Sequence, residues 1–301
     1  MSDQGIAGSP DHLAVFEGLR PRMMGICYRI LGSVTDAEDV IQDAWFRWSR
    51  TDPRQIANVE AFLTTVVSRL ALDRLRRVKA RREAYSGSWL PEPVAAGDDP
   101  SAAVELAESL SMALLVVLEA LSPLERAAFV LHEVFQQPYP DVAAALGREE
   151  PAVRQLVRRA RVRVEDGATR YRADRDTHSE VVRRFAVACA TADVDSLLAV
   201  LAPDVVVVSD GGGVAKAPLL PVNGRDRVAR LLLGIAKKVP VGATYDLEVF
   251  NGQLGLVARL DGRAINALAV TVRDGLVQTL HAVANPAKLT ALDSEHRVAM
   301  D

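Results

Sequence analysis

Apolar side chains recur at three- and four-residue steps from residue 10 to 84, lose that rhythm, and regain it over 109–170. After about residue 178 the helical period gives way to strand-like alternation broken by Gly and Asn turns. In the first stretch Leu13, Phe16, Leu19, Met23, Ile26, Cys27 and Ile30 mark one helix face, and Gly32 stops it. A second helix opens at Thr35, where Thr35 with Glu38 fits a capping box, and runs to about Arg50. The segment 51–57 is a loop by its Asp-Pro. A third helix covers about 59–84, with Phe62, Leu63, Val66, Val67, Leu70, Leu72 and Leu75 apolar. These form a three-helix module over 1–85.

Residues 86–108 carry Gly87, Pro91, Pro93, Gly97 and Pro100 without a period and read as a linker, ordered at most around Trp89. The module 109–172 is helical again. Ser122-Pro123-Leu124-Glu125 is a capping box with proline at the first helical position. A short helix over about 141–146, a turn at Gly147 and a second helix from Pro151 then spell a helix–turn–helix. In the third domain, 176–301, helices at 178–191 and 194–201 precede a short strand at 205–208 and an amphipathic helix over 224–239. Strands follow at 243–250, 254–260, 263–272 and 275–284. Their turns are Asn251-Gly252, Asp261-Gly262 and Asp274-Gly275, which makes an antiparallel α+β domain.

Charge changes the picture. The chain of 301 residues holds 36 Lys+Arg against 39 Asp+Glu, a net −3 that taken alone speaks against nucleic-acid binding. The balance is segregated. Residues 36–43 hold four acids and no base, 69–82 seven bases and one acid, 84–125 seven acids and no base, and 148–163 six bases against two acids. Two basic stretches on separate helical modules point to two nucleic-acid contacts. Cys27 and Cys189 lie far apart with no Cys/His cluster, so buried reduced thiols are expected and no metal or cofactor is implied. No signal peptide is visible, and the longest apolar run, 112–118, is too short for a membrane span; the reading is cytoplasmic.

On these residues the first 170 positions resemble an extracytoplasmic-function sigma factor of bacterial RNA polymerase. DAEDVIQDAWFRW at 36–48 is similar to region two, 59–82 to its promoter-melting helix, and 122–164 to region four. The third domain resembles the cone-shaped SnoaL/NTF2-like fold carried as an extension by a subfamily of these factors. Its marks are Trp89, Leu90, Pro91, Glu92 and Pro93; Asp210, Gly211, Gly212 and Gly213; and Asn285, Pro286, Lys288 and Leu289.

The resemblance implies promoter-specific initiation with core RNA polymerase, whose largest-subunit clamp helices and flap would be contacted. Asp36, Glu38, Asp39, Gln42 and Asp43 would dock the clamp helices. Arg69, Arg74, Arg76 and Arg77, with Lys79, Arg81 and Arg82, would meet phosphates and unstacked bases at the −10 element. Arg154, Gln155 and Arg158 would reach base edges of the −35 element, with Arg159, Arg161 and Arg163 on phosphates. The helix period buries Trp45 and Trp48 and leaves Phe46 outside. The subfamily marks imply contacts between extension, linker and sigma modules that regulate in cis, with a small ligand in the cone as one input.

Two other readings stay open. One is an enzymatic last domain, in which Asp210 or Asp246 is a base, His281 an acid and Tyr245 a donor. The other is a helix–turn–helix regulator that works without polymerase, against which the acidic helix 36–43 argues.

Overall fold

The computed structural model describes residues 10–83, 85–95, 111–168 and 174–293. The chain forms two compact units. The first holds residues 1–81 and 118–164 with a short piece of the linker; the second holds 82–98, 107–117 and 165–301. Most of the acidic linker, residues 96–110, lies outside the described residues, as does the side chain of Arg81.

In the first unit, helix α1 (Pro10–Leu31) buries Phe16, Met23, Ile26, Cys27 and Ile30 and ends at Gly32, whose φ of +69° closes the helix. Leu13, expected on the same stripe, is half exposed. Helix α2 (Val34–Trp48) starts one residue before the expected capping box. Ser33 is the cap: its backbone is extended and its hydroxyl accepts from Asp36 N–H, so Thr35 lies inside the first turn. A 3-10 turn (Pro53–Gln55), capped by Asp52, leads into α3 (Val59–Glu83). Helix α4 (Met112–Glu119), whose residues 112–117 belong to the second unit, is followed by α5 (Pro123–Phe129). The box at Ser122 and Glu125 closes in both directions. A π-helical turn (Val130–Val134) joins α5 to α6 (Tyr139–Leu146). Gly147, at φ +61°, makes the left-handed turn into α7 (Glu150–Ala168). Val142, Ala145, Val153, Val157 and Ala160 are buried between these helices.

In the second unit, α8 (Arg175–Ala190) and α9 (Val194–Val200) are capped by Asp174 and Asp193. They precede β1 (Leu201–Asp210), β2 (Val222–Asn223) and α10 (Arg225–Ala236). Strands β3 (Thr244–Phe250), β4 (Gln253–Leu260), β5 (Arg263–Arg273) and β6 (Leu276–Val283) then form a meander. Each of its three turns pairs a positive-φ Asn or Asp with a positive-φ Gly, the geometry of a two-residue hairpin loop. The sheet order is β2-β1-β6-β5-β4-β3, antiparallel except for β1 beside β6. The first strand is longer than expected, because its pairing to β6 continues to Asp210.

Alternation sorts the side chains onto two faces. Val205, Val207, Val270 and Leu280 meet Val181, Phe185 and Leu197 of the helices. The opposite face packs Phe250, Val257, Ala267 and Val283 against Leu90, Met112, Leu289 and Leu292. His281 shares that second face, in register with Val208 and Ala269. It is buried, its Nδ1 has no hydrogen-bond partner, and burial pushes its pKa down to about 4.

The unfolded chain therefore binds the extra proton between pH 6.5 and 4, and stability falls as pH falls through that window. The loss amounts to about 3 kcal/mol at the acid end, at about 1.4 kcal/mol per unit. Denaturant melts of wild type and His281→Leu between pH 7 and 4 should show the variant losing markedly less stability; parallel pH profiles would contradict a neutral buried imidazole.

Candidate functional site

The acidic face of α2 and the basic face of α3 meet. Arg74 donates to Asp36 at 2.8 Å and to Asp39 at 2.6 Å. Arg74, expected to face DNA, and two of the expected docking acids thus neutralise one another. Glu38 pairs with Arg20 at 2.5 Å. Gln42 and Asp43 remain exposed, next to Phe46, which is half exposed. Trp48 is buried, with its indole N–H on the His12 carbonyl, and Trp45 meets Phe16 edge-on.

Further along α3, Arg76 pairs with Asp73, and Arg77 lies exposed with its Nε on the Asp73 carbonyl. Arg69 donates to the carbonyls of Ala145 (2.9 Å) and Ala144 (2.7 Å), the last turn of α6. A guanidinium there meets the negative end of a helix dipole. Lys79 donates to Leu121 O at 3.0 Å, and buried Arg126 donates to Arg29 O at 2.9 Å while pairing with Glu119. Phe135 lies against Arg22 and Arg29. Inside the first unit, then, cations resting on main-chain carbonyls tie the two helical modules together.

The basic face of α7 is similarly anchored. Arg154 pairs with Glu150 at 2.5 Å and lies 4.2 Å from the centre of the Tyr139 ring. Arg159 and Arg163 both reach Glu125, and Arg161 reaches Glu133. Burial alone would raise the Glu125 carboxyl, but hydrogen bonds from Ser122 and the charges of Arg163 and Arg159 outweigh it and hold the carboxyl below its usual range. Gln155 and Arg158 are exposed, and Arg158 makes no ion pair among the described residues. Sequence reasoning took Glu125 for a cap alone and missed Glu133 and Tyr139. The signal for Glu125 was present: an acid that closes a helix start also sits within reach of whatever cation packs beside it.

In the second unit, the three marked segments converge on one buried carboxylate. Asp210 is fully buried at the end of β1. It accepts from Tyr85 Oη (2.6 Å), Leu90 N (2.9 Å), Gly212 N (3.0 Å) and Lys288 Nζ (2.7 Å). Its main-chain carbonyl accepts from the N–H groups of Ala284 and Asn285. Lys288 also donates to Leu90 O, and Asn285 donates to Tyr85 Oη at 2.9 Å. Trp89 presents its ring to Lys288 Nζ at 3.9 Å and to the Arg82 guanidinium at 3.3 Å. Leu90 is in the core, Pro91 and Pro93 are buried, and Glu92 is half-buried. Val94 exchanges hydrogen bonds with Asn251.

The glycines admit this approach. A Cβ on Gly212 would stand 2.5 Å from Asn285 Cγ, and one on Gly211 2.5 Å from Ala215 O. Gly213 takes a φ of +72°. Pro286 opens a 3-10 turn (Pro286–Lys288) capped by the Asn285 side chain, which aims Lys288 at Asp210 and buries Leu289. Burial pushes Lys288 down to about 8 even though Asp210 opposes that shift. Tyr85, read from sequence as the mere end of the first module, completes the cluster; nothing in the local period distinguishes it.

Of the enzymatic candidates, Asp210 and His281 are diagonal neighbours on β1 and β6, and Tyr245 and Asp246 lie apart from them. Tyr245 and Asp246 are about half exposed and adjacent on β3, so they point to opposite faces of the sheet. His281 lies three strands from Asp246, roughly 14 Å at about 4.8 Å per strand. Asp210 is saturated by the contacts above. Among the described residues no group of His, Cys, Asp or Glu could hold a metal ion, and no helix is long and apolar enough to cross a membrane.

Two family models match the chain, Sigma-70 region 2 over residues 15–82 and Sigma-70, region 4 over 111–164. The chain is 44% identical to the ECF RNA polymerase sigma factor SigJ of Mycobacterium tuberculosis, over 94% of this chain and 95% of that protein. The crystal structure of SigJ superposes with a TM-score of 0.75 at 43% identity, covering 93% of this chain and 98% of that one. A probable ECF sigma factor of the same organism, SigI, is 31% identical over 94% of this chain and 96% of its own length. Together with the two helical modules, the helix–turn–helix and the α+β third domain, these matches place the chain in the family of extracytoplasmic-function sigma factors, the transcription initiation factors of RNA polymerase.

Proposed function

We propose that this sigma factor is regulated in cis by its third domain, which grips both ends of the linker between its promoter-binding modules. The observation that carries this reading is the membership of one hydrophobic core. Leu90, just after the first module, and Met112, at the start of the second, pack with Phe250, Val257, Val283 and Leu289 of the third domain. The Asp210 cluster fastens the first of these segments with directional bonds to Tyr85 and Leu90.

On this reading the promoter modules are held in a closed arrangement while the linker is gripped. Arg69 then spends its donors on Ala144 and Ala145 instead of on phosphate. Release of the linker lets region two reach the −10 element through Arg69, Arg76 and Arg77. Region four reaches the −35 element through the first turns of α7, with Arg154, Gln155 and Arg158 nearest base edges. Gln42, Asp43 and Phe46 offer the exposed polar and aromatic surface that would meet the polymerase clamp helices, whereas Asp36 and Asp39 act chiefly by holding Arg74.

Run-off transcription with core polymerase and a cognate promoter tests the regulatory claim. Asp210→Asn keeps the shape of the side chain and removes its charge, so the Lys288 and Tyr85 bonds weaken. Transcription by this variant should rise severalfold over wild type at equal sigma concentration. Equal activity of wild type, Asp210→Asn and a chain ending at residue 170 would remove the third domain from regulation.

For the −35 contact, Arg158→Ala should cost about tenfold in promoter occupancy at matched salt, since one good base contact is worth about 1–3 kcal/mol. Arg154→Ala should cost less, because Glu150 and Tyr139 already compete for that guanidinium. Unchanged occupancy for both variants would show that α7 does not enter the groove as described.

A further inference from the structure

We propose that the groove in which the third domain holds residues 89–95 is a peptide-recognition site. Once the linker has left, it takes in trans an extended segment of another protein with the pattern Trp-Leu-Pro-x-Pro-Val. The proposal rests on the regulatory reading for one step only, the departure of the linker.

The groove reads the main chain of its occupant at two points. At Leu90 the N–H donates to Asp210 (2.9 Å) and the carbonyl accepts from Lys288 Nζ (2.5 Å). At Val94 the N–H donates to Asn251 Oδ1 (3.1 Å) and the carbonyl accepts from the Asn251 N–H (2.8 Å). Between these points stand Pro91 and Pro93, which have no N–H to offer, so donors are asked only of residues able to supply them. Ala95 then pairs antiparallel with Phe250 at the end of β3. Two side chains add selectivity: Leu90 fills an apolar pocket with Phe250, Val257 and Val283, and the Trp89 ring lies 3.9 Å from Lys288 Nζ. All of these contacts fall within one short contiguous segment. Main-chain reading combined with a deep side-chain anchor is the way folded domains take extended peptides. Each proline also restricts the residue before it, Leu90 or Glu92, to extended backbone, so a segment of this pattern loses little freedom on docking.

Vacating the groove creates the need for a replacement. Asp210 is fully buried and Lys288 nearly so. With the linker gone, the carboxylate loses the Tyr85 hydroxyl and the Leu90 N–H, the ammonium loses the Leu90 carbonyl, and the apolar pocket meets water. Asp210 and Lys288 neutralise one another at 2.7 Å, so the pair matches a neutral amide, N–H to the acid and carbonyl to the base, and not a free anion. While the linker is seated it competes from the same chain at high effective concentration. A peptide in trans therefore enters only the released form, and by binding that form alone it holds the factor open.

Fluorescence anisotropy with a labelled peptide of residues 85–95, titrated with the full-length protein, tests the assignment. Leu90→Asp evicts the chain's own segment, because an unpaired carboxylate is not tolerated in that pocket, and Leu90→Ala loosens it more mildly. The peptide should bind both variants one to one, about tenfold or more tighter than it binds wild type. Adding Lys288→Met to Leu90→Asp should weaken binding about tenfold, and adding Asn251→Ala severalfold. A peptide carrying Asp in place of Leu90 should not bind. No binding to either Leu90 variant while the third domain still melts cooperatively, or equal affinity for the two peptides, would overturn the site. Run-off transcription on the same variants separates this site from the regulatory reading. Raised transcription by Leu90→Asp without peptide binding would overturn the peptide site alone, whereas tight peptide binding with unchanged transcription would support the site and count against regulation.

Discussion

A carboxylate removed from water is tolerable only when its oxygens are met by donors, and the second unit is organised around one such group. Asp210 has no exposed surface, and its two oxygens take a phenol, two main-chain N–H groups and an ammonium. Removing one partner from a buried pair of this kind costs about 3–5 kcal/mol, far more than a surface ion pair contributes. The consequence is topological. The donors come from residues 85, 90, 212 and 288, so three separated segments of chain must be in place together. Glycines at 211 and 212 let the loop after β1 come close enough, and the Asn285 cap turns Lys288 inward. The first stretch of the linker, around Leu90, is thereby part of the third domain's core.

Competition for cations runs through the first unit in the same way. The arginines that give the helical modules their basic character are mostly engaged within the unit. Arg69 rests on the carboxyl end of α6, Arg74 on α2, and Arg159, Arg161 and Arg163 on Glu125 and Glu133. Such pairs are individually weak where exposed and are screened by salt, so they can be exchanged for phosphate contacts at small cost. Arg126 differs: it is buried, bonded to Arg29 O and Glu119, and holds the modules together as structure. The formal charge of −3 conceals this arrangement, because opposed charges that are separate in sequence are neighbours in space.

Most of the fold was legible in the sequence because it rests on local rules. The capping box at Ser122, the left-handed turn at Gly147 and the three Asx-Gly hairpins each depend on a few adjacent residues. The misplaced start of α2 has the same origin: Ser33 and Thr35 are both competent caps, and only the extended backbone at Ser33 decides between them. What the period could not give is tertiary pairing. Leu13 lies on the apolar stripe of α1 yet stays outside the core, Arg74 turns to α2, and Tyr85 and Asn251 reach partners more than a hundred residues away. The segments around Asp210 and Lys288 were legible only as family marks; their chemistry became visible once one carboxylate was seen to join them.

The central claim is that gripping the linker keeps the promoter modules closed, and a distance measurement addresses it without relying on transcription. Spin labels at exposed positions 50 and 148, one on each module, would be measured by pulsed dipolar spectroscopy in the full-length chain, with Cys189 replaced by serine. The account predicts a single short distance in the parent chain and a broader, longer distribution when Lys288→Met removes the ammonium from Asp210. Identical distributions in the two, with Asp210 still buried and the third domain still folded, would contradict it.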